Sequence, residues 1–124
     1  MRYLPLQRMS PTYHNRRFRS VATSGNGEVD AATLFLYQQD GDVIWADYSG
    51  GAIVRGHLLG LVRPDGSLDF HYHHLNWEGA LMTGICISTP EVLPDGRLRL
   101  HERWRWTSGD GSSGESVIEE VETG

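Results

Sequence analysis

The stretch Trp45-Ala-Asp-Tyr-Ser-Gly-Gly-Ala-Ile-Val-Arg-Gly-His-Leu-Leu-Gly-Leu-Val62 reads as two β-strands joined at Gly50-Gly51. That dipeptide accepts the positive φ angles of a tight hairpin. The second strand carries Gly56 and Gly60, four residues apart and therefore on one face. Glycine weakens a strand unless a large neighbour lies over the gap or the sheet must bend there. The side chains that cover these glycines therefore mark the inner face of the whole molecule.

Outward from this hairpin the same grammar repeats. Short β-rich runs near 16–23, 33–39, 42–49, 52–63, 67–75, 80–89, 97–107 and 115–122 alternate with turn signals. These include Asp40-Gly41, Pro64-Asp65-Gly66, Asn76 to Gly79, Pro94-Asp95-Gly96 and Ser108 to Gly114. No connection is long enough for a crossover helix, so successive strands pair antiparallel. About eight such strands close most simply into an up-and-down barrel, which removes both exposed edges. The expected fold is all-β, an eight-stranded antiparallel meander barrel over residues 16–124, with residues 1–15 as a loose N-terminal leader.

The turns also set registers. The two Pro-Asp-Gly sequences suit a type I turn closed by a glycine bulge. This puts Gly60 opposite Phe70, Leu58 opposite Tyr72, Gly56 opposite His74 and His57 opposite His73. A two-residue turn at Gly50-Gly51 puts Trp45 opposite Gly56. Similar turns put Tyr72 opposite Gly84 and Gly84 opposite Trp106. On this reading Trp45, Asp47, Leu58, Phe70, Tyr72, His74, Cys86, Leu98, Leu100, Glu102, Trp104 and Trp106 share the inner face, with Val43, Val54, Val62, Leu68, Met82 and Ser88. Phe18 and Phe35 join them.

Composition narrows the function classes. A net charge of −5 argues against nucleic acid as a partner. All 11 basic side chains are Arg, and they cluster in the first and seventh strands around an acidic last strand, which predicts cross-strand ion pairs. Cys86 is the single cysteine, so no internal disulfide forms and a cytoplasmic location is expected. No apolar run reaches membrane-spanning length, and no membrane partner is expected.

The inner face carries the candidate chemistry. Asp47, His74 and Glu102 lie among Trp45, Tyr72, Trp104 and Trp106, toward the end that holds the turns at Gly50, Asn76 and Ser108–Gly114. Aromatic walls with a few convergent polar groups at a barrel mouth describe a ligand pocket, and these seven residues are the expected ligand-binding set. Glu102, His74 and Asp47 are also the candidates for general acid–base work of an isomerase or lyase type. His71 and His73 share the outer face with His57, but no carboxylate ligand is placed there and no zinc spacing is matched. No metal and no cofactor is expected. The outer face of the fourth to sixth strands carries Leu59, Leu61, His71, Ile85 and Ile87, an apolar patch that predicts a homodimer or an assembly surface.

Several motifs, Trp45-Ala-Asp-Tyr-Ser-Gly-Gly, Gly56-His-Leu-Leu-Gly60, His71-Tyr-His-His-Leu-Asn76, Gly84-Ile-Cys-Ile-Ser-Thr-Pro-Glu91 and Trp104-Arg-Trp-Thr-Ser-Gly-Asp, resemble a family of small uncharacterised bacterial proteins. Its members often carry an automatic label of N-acetylglutamate synthase, and their barrel is avidin-like or calycin-like, in the manner of the lipocalins. The resemblance implies the barrel and supplies no site residues. Acetyl transfer from a coenzyme needs a glycine-containing pyrophosphate loop at a helix N-terminus, and no helix is expected after any candidate loop. The sequence thus points to a small-ligand-binding barrel, with a small acid–base enzyme or an assembly module as alternatives.

Overall fold

The computed structural model describes residues 12–121. Eight strands follow in order: β1 (Arg16–Thr23), β2 (Leu34–Asp40), β3 (Val43–Gly50), β4 (Ile53–Val62), β5 (Leu68–Asn76), β6 (Leu81–Val92), β7 (Leu98–Trp106) and β8 (Ser113–Glu120). Each pairs with its neighbour in sequence, and β8 returns to β1 to close the barrel. The expected all-β meander is therefore the observed fold. Of the expected leader, residues 1–11 lie outside the described residues. Tyr13 is fully buried against the barrel, where its hydroxyl donates to the Gly66 carbonyl at 2.6 Å.

The Pro-Asp-Gly hairpins take the expected registers. Gly60 faces Phe70, Leu58 faces Tyr72, Gly56 faces His74 and His57 faces His73. Tyr72 faces Gly84, and Gly84 faces Trp106. In the last β-ladders, Arg99 pairs with Glu119 through a 2.8 Å ion pair, and Arg16 reaches Glu120 at 2.7 Å. The segregated charges thus tie β7 and β1 to the acidic β8.

One hairpin departs from the expectation. Across β3 and β4, Tyr48 rather than Trp45 faces Gly56, and Trp45 faces Leu59. Two local features add up to this three-residue shift. The turn is made by Gly51-Ala52, with Gly50 paired to Ile53, and β4 then takes in one extra residue as a bulge before Gly56. An odd shift turns a strand over, because side chains alternate with a period of two. Ile44, Ala46 and Tyr48 are therefore the buried residues of β3. Val43 and Asp47 are exposed and Trp45 is half-buried outside. The bulge likewise puts Ile53 inside, where Val54 was expected.

The interior grades from one end to the other. Along β7 the inward row runs Leu98, Leu100, Glu102, Trp104, Trp106, while the outward positions are arginines and His101. Along β5 it runs Leu68, Phe70, Tyr72, His74, Asn76. Aliphatic side chains and Tyr13 fill the end that carries the Pro-Asp-Gly turns. The opposite end, where the β1–β2 segment meets the turns at 50–52, 76–80 and 107–112, is aromatic and polar.

Candidate functional site: the barrel mouth

At the mouth, β3, β5 and the segment joining β1 to β2 bring three titratable side chains into one chain of hydrogen bonds. The Tyr48 hydroxyl lies 2.9 Å from His74 Nδ1, and His74 Nε2 lies 2.8 Å from Glu28 Oε1. A carboxylate only accepts, so Nε2 carries a proton. In the neutral ring, Nδ1 then accepts the Tyr48 proton. Burial holds the Tyr48 phenol far above the ordinary tyrosine range, so it stays protonated. The Asn76 amide donates to both Glu28 oxygens, at 3.4 and 3.2 Å.

Glycines make room for this arrangement. A Cβ on Gly56 would run into the Tyr48 ring and the His74 Cβ; one on Gly84 would strike Tyr72, and one on Gly114 would strike Trp104. The rings close around the mouth in edge-on contacts. Trp104 and Trp106 have centroids 5.4 Å apart, and Trp106 lies 5.8 Å from both Tyr72 and His74. Phe35 stacks on Tyr48 at 4.9 Å. Such pairs contribute roughly 0.5–1.5 kcal/mol each beyond the area they bury.

Within this collar lies a cavity of about 50 Å³, bounded by Glu28, Val29, Tyr48, Tyr72, Glu102 and Trp104 among others. With about 30 Å³ per water in the liquid, that is space for one or two waters or a head group of a few atoms. Drug-sized ligands occupy pockets of roughly 300 Å³ or more; Gly27, Glu28 and Val29 of the β1–β2 segment form one wall of this smaller space.

Polar bonds hold that segment in place. The Trp106 indole N–H donates to the Asn26 carbonyl at 3.0 Å, and the Asn26 amide donates to Ser112 Oγ and the Ser113 carbonyl at 3.0 and 2.9 Å. Thr33 Oγ1 donates to the Gly50 carbonyl at 3.0 Å. The 107–112 loop thus serves as a docking post for the segment over the mouth.

Glu102 is the unusual residue of the interior. It is 8% exposed, and its one hydrogen bond comes from Ser116 Oγ to Oε1 at 3.0 Å. No arginine or histidine pairs with it among the described residues. Loss of hydration pushes its carboxyl up to about 7, partly opposed by the Ser116 bond. The neighbouring Cys86 thiol is pushed well up by burial and stays protonated, which makes it unreactive. Buried hydroxyls of Thr23, Tyr37 and Ser88 have no hydrogen-bond partner among the described residues.

Of the residues expected to form the site, Tyr72, His74, Glu102, Trp104 and Trp106 do line the cavity. Trp45 and Asp47 do not, because the β3 register turns them outward; Asp47 bonds to His57 Nδ1 at 2.9 Å. Tyr48 takes the inner place expected for them. Glu28 had no periodic signal in its irregular segment, and only the structure brings it to His74. On the outer face, His57 and His73 have ring centroids 6.0 Å apart. No group of three or more His, Cys, Asp or Glu side chains converges to hold a metal among the described residues. No described helix is long and apolar enough to cross a membrane.

Eight-stranded barrels are wide enough to be filled by side chains or to hold one small molecule. This one is filled by aliphatic side chains at one end and keeps a small cavity among aromatic and polar side chains at the other. The chain belongs to the avidin-like protein family, which it matches over residues 11–121. No curated protein matches it.

Proposed function

We propose that this protein binds a small ligand whose head group enters the mouth cavity between Tyr72, Trp104 and Trp106, with Glu102 fixing its polar end. The observation that carries this reading is Glu102 itself, a buried carboxyl without a basic partner beside an aromatic-walled void. Burying such a group without a partner costs several kcal/mol, on the order of what an internal network would remove. A buried carboxyl without a basic partner beside a void fits a group that meets an external partner. His74 orients Tyr48 rather than meeting the ligand, since both its nitrogens are engaged. The same engagement weighs against His74 as a general base, so binding is favoured over acid–base catalysis.

The test is a fragment screen with cationic, anionic and neutral members, read by thermal shift and by indole N–H resonances. Binders should raise the midpoint and move the signals of Trp104 and Trp106 while leaving exposed Trp77 unmoved. If no fragment moves either signal, the reading fails.

The outer patch supports a second, compatible reading, a homodimer through β4–β6. Leu59 and Leu61 are 55% and 57% exposed and Ile87 is 40% exposed, beside His71 and the half-buried Ile85. Contiguous apolar side chains at such exposure mark an interaction surface. Sedimentation at micromolar concentration should give a dimer that Leu59→Glu with Leu61→Glu converts to a monomer; a monomeric parent protein would remove this reading.

A further inference from the structure

We propose that the ligand of the mouth cavity is a small organic cation, an alkylammonium group, with Glu102 as its counter-ion and the rings of Tyr72, Trp104 and Trp106 as its wall. This rests on the ligand-binding reading above and adds the charge of the ligand.

The charge inventory of the cavity is one-sided. Two carboxyl side chains, Glu28 and Glu102, border it, and no arginine does; the chain has no lysine at all. Glu28 is tied to His74 and Asn76, whereas Glu102 receives a single bond from Ser116 on one oxygen. Several donors are already spent inside the protein: Trp106 N–H on Asn26, the Asn76 amide on Glu28, and the Ser116 hydroxyl on Glu102; the Trp104 N–H and the Tyr72 hydroxyl, both on the lining, carry no charge with which to hold an anion. Tyr48 gives its proton to His74 in the neutral-ring arrangement and so offers the cavity an acceptor oxygen. The hydroxyl of Thr23 lines the cavity without a partner and can turn either way. An anion would meet Glu102, which has no basic partner among the described residues. A cation gains the Glu102 charge together with attraction to the aromatic π systems, an attraction that strengthens when water is excluded. The small volume selects a compact head group.

The reading predicts linked proton release. The titratable groups facing Glu102 are the phenols of Tyr37, Tyr48 and Tyr72 and the Cys86 thiol. Burial keeps all four protonated. The Glu28–His74 pair also borders the cavity, so the proton is assigned to Glu102 by its loss in Glu102→Gln. A bound cation favours the ionised carboxylate, so below the Glu102 midpoint each binding event expels about one proton. Affinity should then rise with pH and level off above about 7, where the free carboxyl is already ionised.

The decisive experiment titrates the full chain with methylammonium, ethylammonium and tetramethylammonium, and in parallel with tert-butyl alcohol and acetate. It is read from the four tryptophan indole resonances. Trp104 and Trp106 should shift saturably with at least one ammonium ion, while Trp45 and Trp77 stay still. Calorimetry at pH 6 in two buffers of different ionisation enthalpy should show proton release. Glu102→Gln should weaken the ammonium at least tenfold and abolish the release. Should Glu102→Gln misfold, Ser116→Ala, which removes the hydrogen bond to Glu102, should move the proton release to higher pH; a release unmoved by it overturns the proposal. If tert-butyl alcohol or acetate moves Trp104 and Trp106 and no ammonium does, the cation assignment falls and the ligand-binding reading stands. Silence from every probe and from the fragment screen overturns both. Ammonium binding without proton release removes Glu102 as the counter-ion and overturns the proposal.

Discussion

The two ends of the barrel are built by the same eight strands and behave as different materials. At the closed end Leu68, Leu98, Leu100 and Ile118 pack with Phe18, Tyr37 and Tyr13, all but fully buried. Stability there comes from apolar area and close fit, at about 25 cal/mol per Å² buried. At the mouth, Val29 is the hydrophobic side chain of the covering segment that packs on the core cluster. The rest of that segment is held by hydrogen bonds to Trp106, Ser112, Ser113, His74 and Asn76. Apolar packing is cooperative with the whole fold, while a strap held by a few polar bonds opens locally at low cost. One barrel thereby combines a base held by apolar packing with a cover held mainly by polar bonds.

The largest effect should come from damage to the base. Leu100→Ala should cost roughly 3 kcal/mol of unfolding free energy by removing a fully buried side chain, while the Trp106 indole resonance stays in place. A cost under 1 kcal/mol would mean that the closed end is not the stabilising one.

Next comes the buried carboxyl. Its folded midpoint of about 7 lies above the unfolded value of 4.5. The protonated form is therefore favoured by folding, and the contribution is complete below about pH 4.5. It is lost progressively as pH rises through 7. Glu102→Gln should accordingly be more stable than the parent above pH 7 by up to roughly 3 kcal/mol, with the advantage vanishing in acid. Urea denaturation across pH 4–8 reads the difference; a pH-independent difference would show that ionisation of Glu102 is not its source.

A smaller effect is expected at Tyr48. Tyr48→Phe removes the hydroxyl bonded to His74 Nδ1 and should cost about 1 kcal/mol in chemical denaturation. The smallest concerns the cover. Glu28→Gln should change global stability by less than about 1 kcal/mol, because Glu28 is partly exposed. Yet it should speed hydrogen exchange at the Gly27 and Thr33 amides, which bond within the covering segment. Exchange at Arg63 and Leu93, bonded across the closed-end turns, should not change. Equal acceleration at both ends would contradict the division drawn above.

How legible each end was in the sequence follows from the same physics. Pro-Asp-Gly dictates both a turn type and a bulge, so β4, β5 and the β6–β7 pairing could be registered from residues alone. The inward row of β7 was equally plain, because its outward partners are cationic and Glu102 interrupts an otherwise apolar alternation. Gly50-Gly51 was ambiguous, since either Gly50-Gly51 or Gly51-Ala52 can make the turn. Nothing in Ile53-Val54-Arg55 announces an extra residue. That pair of local choices exchanged Trp45 and Asp47 for Ala46 and Tyr48 at the inner surface. Glu28 was beyond reach for another reason: it sits in an aperiodic segment, and only barrel closure brings it to His74.

The closure of β8 on β1 has a practical side. Phe18 faces Glu120 in that ladder, and Arg16 bonds to Glu120, so both flanks of the barrel leave from the packed base, on the far side from Trp106 and Glu28. A support attached at Arg16 or Glu120 would sit at the base and leave the mouth facing away from it.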